Sequence, residues 1–274
     1  MGTSRVGLMP VRHLWLPALL WLGLQAGSAA GAGLPSDAKE QWLTLVAQTD
    51  ALGLPTQFLR AIPADFITLE FEDLHAFAAE YHPAEHRMVL NLALSFNAAG
   101  GTLKPLAKMT PREVGTLFHE FFHAYMDYVR SKAEAAVDPG VARLLAFAQD
   151  QQRCRYQVVS ITPVVQRKTA TEVRFLSDRE AWEALDETWA VFVGWAVWSR
   201  LEQSHGQGVQ PRGGRSKTGG WSARLEKADR DGDLVGYYEP EDPAERTVAQ
   251  KRYLAPSHRI TPREVAVLLE VLFG

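Results

Sequence analysis

Val114–Tyr128 reads VGTLFHEFFHAYMDY, and the run His119-Glu120-Phe121-Phe122-His123 inside it decides how the rest of the chain is read. Two histidines four residues apart on a helix project from one face. Their imidazoles can therefore converge on one metal ion, with Glu120 beside them in reach of a water on that ion. Three fixed positions recur by chance, so the surroundings must carry the reading. Upstream, Thr110 can cap a helix, Pro111 suits its first position and Glu113 can complete a capping box. A helix is thus predicted from about two turns before His119 to about Ser131. Leu117, Phe118, Phe121, Phe122 and Ala124 are uncharged, as in a helix packed on most sides with one polar strip left for a metal. The competing reading is a buried helix whose histidines are hydrogen-bonded core residues. Cap, flanks and spacing together disfavour it.

The chain has 274 residues, 46 % hydrophobic and 22 % charged, enough for a full core. Arg5 and Arg12 precede an apolar run from Leu14 to Leu24, followed by Gln25-Ala26-Gly27-Ser28-Ala29-Ala30. That layout predicts a secretory signal peptide over residues 1–30, hence a secreted or periplasmic protein. The run is short for a bilayer and is interrupted by Pro17 and Gly23, so no stable membrane span is expected after cleavage. Residues 1–30 carry two arginines and no acid, so their removal shifts the formal charge from −3 to −5. An acidic chain is a poor partner for nucleic acid. The single cysteine, Cys154, excludes an internal disulfide and a Cys-rich zinc site, and is expected to be a small buried residue.

Residues 31–274 are expected to form one α+β domain. Helices are predicted over 37–52, 55–61, 141–152, 178–201 and 265–273, the fourth of them rich in tryptophan. Strands are predicted at 66–72, 75–81 and 87–95, the last two a hairpin whose loop holds His82 and His86 as solvated turn residues. A second hairpin is expected around 158–161 and 171–175. The segment 204–220, polar and glycine-rich, is expected to be a flexible loop. Asp229–Asp233 resembles the start of a calcium loop, but its glycine is at the fourth position and Pro240 takes the place of the required glutamate. Strand 87–95, just before the metal helix, is read either as a core strand or as the lip of a cleft that pairs with an extended peptide.

Catalytic zinc usually takes three protein ligands and keeps one position for water. A third histidine six residues after the second is absent, since Val129 stands there. Glu180, Glu183 and Glu187 share one face of the tryptophan-rich helix, a costly stripe to pack against apolar neighbours. Here the chain resembles the gluzincin branch of the zincin metallopeptidases, with HExxH on one helix and a glutamate ligand on a later one. The resemblance covers strand 87–95, the central helix and the helix 178–201, without reaching a named family. It implies a zincin-like α+β fold with a small, mostly antiparallel sheet packed on both helices. It also implies Zn²⁺ as cofactor, held by His119, His123 and Glu187, because Glu187 is followed by Ala190 three residues on and by Trp189 and Phe192. Glu183 and then Glu180 are the alternatives.

The same resemblance implies an exported peptidase acting on a peptide or protein, with Glu120 as general base toward a zinc-activated water. Tyr237, Tyr238 and His258 are candidate oxyanion donors, lying in a loop-rich region after the ligand helix. Asp127, one turn past His123, is a candidate to orient an imidazole. Two other classes remain: a non-catalytic zinc-binding or assembly protein with a peptidase-like fold, and an exported protein with an accidental motif. Glu120 argues against the first, since a purely structural site has no use for a base.

Overall fold

The computed structural model describes residues 35–74, 78–96, 101–132, 138–161, 172–206, 219–242 and 258–274. These residues belong to one compact unit, Leu34–Gly274. The expected signal segment lies outside the described residues, as does 207–218 of the expected loop. The ends of that loop are helical. A tryptophan-rich helix, α5, spans Asp178–Gly206, and a helix not foreseen, α6, spans Gly219–Asp231.

The central helix α3 runs Pro111–Ser131. Thr110 Oγ1 accepts from the Glu113 N–H at 3.2 Å, and Glu113 returns a bond to the Thr110 N–H at 2.6 Å. Such reciprocal capping satisfies two of the donors that a helix start leaves orphaned. The same device opens α5 through Ser177 and Glu180. Between the two histidines, Phe121 and Phe122 turn away from them into the core. Phe121 meets Trp42 of α1 (Pro35–Ala51) edge-on at 5.7 Å, and Phe122 meets Phe58 of α2 (Gln57–Ala61) at 6.1 Å. Such pairs add about 0.5–1.5 kcal/mol beyond the area they bury. One face of α3 is thus fixed by aromatic packing and the opposite face is left for the histidines.

α5 runs antiparallel to α3 and touches it backbone to backbone. A Cβ on Gly194 would stand 2.8 Å from the Gly115 carbonyl oxygen and 3.2 Å from the His119 Cβ, and one on Gly115 would meet the Trp198 Cβ at 2.9 Å. Two glycines therefore set the helix separation beside the first histidine. Gly194→Ala is expected to push the helices apart, costing about 1–3 kcal/mol as overpacking does. Urea unfolding and zinc titration of that variant would check this: unchanged stability and unchanged affinity would contradict it.

The small sheet has the order β1-β3-β2, with β1 Thr68–Glu72, β2 Ala79–His82 and β3 Arg87–Asn91. β2 and β3 form the expected hairpin, Tyr81 opposite Met88, while β1 joins β3 in parallel. The sheet is accordingly mixed, and only the hairpin half of it is antiparallel. β3 is central and pairs on both sides, so it has no free edge to offer as a cleft lip. β1 and β2 are the two edge strands, and β2 is the one tied to α3 through Tyr81 and Asp127. Its burial alternates, whereas Met88, Val89 and Leu90 of β3 are all buried.

A separate antiparallel ribbon, β4 Val158–Ile161 with β5 Glu172–Phe175, follows α4 (Pro139–Arg155) and leads into α5. Cys154, expected to be buried, is exposed near the end of α4. The last helix, α7, spans Pro262–Phe273. Its Glu264 is fully buried, and it accepts from Tyr156 Oη at 2.8 Å, Trp189 Nε1 at 3.1 Å and Thr261 N at 2.8 Å, with Arg155 also paired to it. Burial alone would raise the pKa of Glu264, but the bonds from Thr261, Trp189 and Tyr156 outweigh it and hold the pKa below the ordinary value. That carboxylate ties α7 to α5 two residues beyond Glu187.

Candidate metal centre

His119 and His123 bring their Nε2 atoms to 3.1 Å from each other across the α3–α5 seam. Glu187 of α5 faces both, with Oε2 3.5 Å from His119 Nε2 and Oε1 3.5 Å from His123 Nε2. Glu187 Oε2 is buried and has no hydrogen-bond partner. Glu120 stands slightly farther off, its Oε1 3.9 Å from His119 Nε2. Among the described residues, His119, Glu120 and His123 form the one group of three whose ligand atoms lie within 4.8 Å of one another.

Ligand atoms at about 2.0–2.1 Å from a tetrahedral zinc are about 3.3–3.4 Å apart. The Nε2–Nε2 edge, 3.1 Å, is near that value, and Glu187 spans the pair with a different oxygen 3.5 Å from each nitrogen, Oε2 toward His119 and Oε1 toward His123. The buried Glu187 Oε2, which lacks a hydrogen-bond partner, is an acceptor that a cation held there would satisfy. The donor set, two imidazoles and a carboxylate, is the kind that suits zinc.

Asp186, which sequence reasoning missed, holds the second imidazole: its Oδ2 lies 2.8 Å from His123 Nδ1. An Nδ1–H donated to a carboxylate fixes the tautomer that leaves Nε2 free to bind a metal. Burial works against a charged His123, but Asp186 and Glu187 outweigh it and raise the pKa of the ring well above the imidazole range. Burial pushes Glu120 up, opposed by His119 and His123, and the net shift is upward. Glu187 is penalised by burial too, yet the charge of His123, the polar contact and charge of His119 and a hydrogen bond from Tyr237 bring it below its ordinary value.

The other two glutamates of the stripe serve a different purpose. An extended strap, residues 235–241, lies along α5. Glu183 Oε1 accepts the Glu239 N–H at 3.1 Å, and Glu180 Oε1 accepts the Glu241 N–H at 2.9 Å. Burial pushes Glu183 up to about 7, the bond from Glu239 opposing it. Gly236 makes the close approach possible, since a Cβ there would come within 2.5 Å of the Thr188 backbone nitrogen. The next residue, Tyr237, then reaches the Glu187 carboxylate with its phenol.

Tyr237 is thereby the one of the three oxyanion candidates that meets the site. Tyr238 turns its phenol to Arg174 Nη1 at 3.3 Å, and His258 packs on Tyr156 at 4.4 Å with Nε2 3.0 Å from the Val158 carbonyl. Asp127 bonds to neither His119 nor His123. It accepts from Tyr81 Oη at 2.6 Å and lies 2.7 Å from His86 Nδ1, so His86 is not merely a solvated turn residue.

A scan against protein-family models, and comparisons with curated proteins and with solved structures, find no match to this chain. Among the described residues, no helix is long and apolar enough to cross a membrane.

Proposed function

We propose that this chain is a zinc-dependent hydrolase, and within that class a gluzincin-like peptidase of zincin-like α+β fold. The observation that carries the reading is the convergence of His119 Nε2, His123 Nε2 and the Glu187 carboxylate, whose Oε2 is buried without a hydrogen-bond partner. His119, His123 and Glu187 would hold the ion, Asp186 would orient His123, and Tyr237 would steady the Glu187 carboxylate. A bound zinc supplies Lewis acidity, lowering the pKa of a water from about 15.7 to about 7 and polarising a substrate carbonyl.

Glu120 then does the proton work. Its buried carboxylate, with the pKa raised, takes the proton of the attacking water and hands it to the departing amine. Tyr237 is pushed well above the phenol range by burial and then by Glu187 and Glu120, so its hydroxyl stays protonated and keeps donating to the Glu187 carboxylate. Edge strand β2 brings its backbone to the site, where the Tyr81 N–H bonds to the Glu120 carboxylate.

Zinc-loaded chain lacking residues 1–30 is expected to cleave a quenched-fluorescent peptide library. Chelation should abolish the cleavage and added zinc restore it. Absence of cleavage by protein that carries zinc would overturn the peptidase reading and favour a non-catalytic zinc-binding role.

A further inference from the structure

Strand β2 is fastened to α3 by side chains that no ligand role accounts for. Asp127 Oδ2 receives both Tyr81 Oη, at 2.6 Å, and His86 Nδ1, at 2.7 Å. The ionised carboxylate is acceptor-only, so His86 Nδ1 carries the proton of that bond. His86 is the only non-glycine with a positive φ among the described residues, at φ 50°. A glycine or asparagine would hold this left-handed turn with less strain. The histidine is accounted for by its ring, which packs at a tilt on Phe66 at 4.2 Å and bonds to Asp127, while its carbonyl accepts from Thr68 N at 3.0 Å. Burial, then the bond to Asp127, pushes the Tyr81 phenol upward, so its hydroxyl remains a donor.

The consequence reaches the base. Ala78 and Asn91 form a hydrogen-bonded pair of the hairpin, so Tyr81, opposite Met88, is a non-hydrogen-bonded position. Its N–H points outward from the sheet, and it bonds to the Glu120 carboxylate. A strand side chain stands across the sheet while its N–H lies in the sheet plane. Holding the Tyr81 phenol on Asp127 therefore fixes the direction of that N–H. Glu120 and Asp127 lie seven residues apart on one face of α3, two turns along the helix.

We propose that Asp127, with Tyr81 and His86, positions the catalytic base: the cluster clamps edge strand β2 against α3 where the Tyr81 N–H meets one oxygen of Glu120. That leaves the second oxygen free toward the reacting water. Asp127 is a positioning residue in this account, acting through Tyr81, and it touches neither substrate nor metal. The inference rests on the hydrolase reading for its catalytic part, while the clamp itself does not.

The test uses the zinc-loaded chain with Asp127→Asn, which is isosteric, and Tyr81→Phe, which removes only the hydroxyl. Both are expected to retain zinc and to lower kcat about 10–100-fold, as loss of an orienting group does, with KM little changed. In a Glu120→Gln background, Asp127→Asn should lower the residual rate no further, because its effect passes through Glu120. Tyr81 amide exchange should quicken about tenfold in each single variant, and equally in Glu120→Ala, as one hydrogen bond's protection is lost. Wild-type kcat in both variants would overturn the proposal. So would an equal further loss in the Glu120→Gln background, or joint loss of zinc and activity, either of which marks a purely structural role. A wild type that cleaves nothing sinks the hydrolase reading, and the exchange rates still decide the clamp: an unchanged Tyr81 rate in Asp127→Asn refutes it.

Discussion

Glu187→Ala is expected to abolish tight zinc binding, whereas Glu183→Ala should leave most of it. In the proposed site Glu187 is a ligand, one of three, and its carboxylate lies 3.5 Å from each imidazole nitrogen. Removing it leaves two histidines, which no longer define a zinc site. Glu183 lies one turn back on α5 and holds the strap through the Glu239 N–H, so its removal acts only by loosening Tyr237. Losses of such supporting bonds run to about 10–100-fold in metal affinity, and the Glu187 effect should exceed that range. Competition titration against a chromogenic zinc chelator separates the two. Equal affinity for wild type and Glu187→Ala would refute the assignment.

The second large effect falls on rate and leaves the metal alone. Glu120→Gln keeps the shape of the side chain but cannot take a proton, so kcat should fall by about 10²–10⁴. Zinc content should stay at the wild-type level, because in the proposed site Glu120 is the base and not a ligand, its Oε1 3.9 Å from His119 Nε2. Steady-state rates together with zinc analysis of the same samples check this. Undiminished hydrolysis in zinc-loaded Glu120→Gln would remove Glu120 from the mechanism.

Much of this arrangement is legible in the residues because local chemistry specifies it. The Thr110 cap, Pro111 and the spacing of the histidines place α3 within a residue or two, and Thr261 with Glu264 does the same for α7. The hairpin turn chemistry at 82–86 sets the register of β2 on β3. Glu187 was reached by likeness to a family pattern, with three acids on one face to choose from. Their division of labour depends on a strap more than forty residues away in sequence, whose approach turns on Gly236. Nothing local reveals that.

Asp186 was missed because adjacent helix positions point about 100° apart, so an acid next to a ligand is ordinarily taken as facing elsewhere. Both reach α3 only because Gly115 and Gly194 bring the helices so close. Strand 87–95 was left open between core strand and cleft lip although a signal for the core existed. Met88-Val89-Leu90 is continuously apolar, the mark of a strand covered on both faces, whereas Ala79-Glu80-Tyr81-His82 alternates as an outer strand does. Asp127 was correctly placed on the face of His123, but its partners came from a turn whose histidine looked solvated.

The most direct test of the central claim is the zinc content of the purified chain after dialysis against a weak chelator, read by elemental mass spectrometry. The account predicts one zinc per chain in the wild type and none in Glu187→Ala. A wild-type chain that emerges metal-free from zinc-containing buffer would contradict it, and His119, His123 and Glu187 would then be a hydrogen-bonded cluster between two helices.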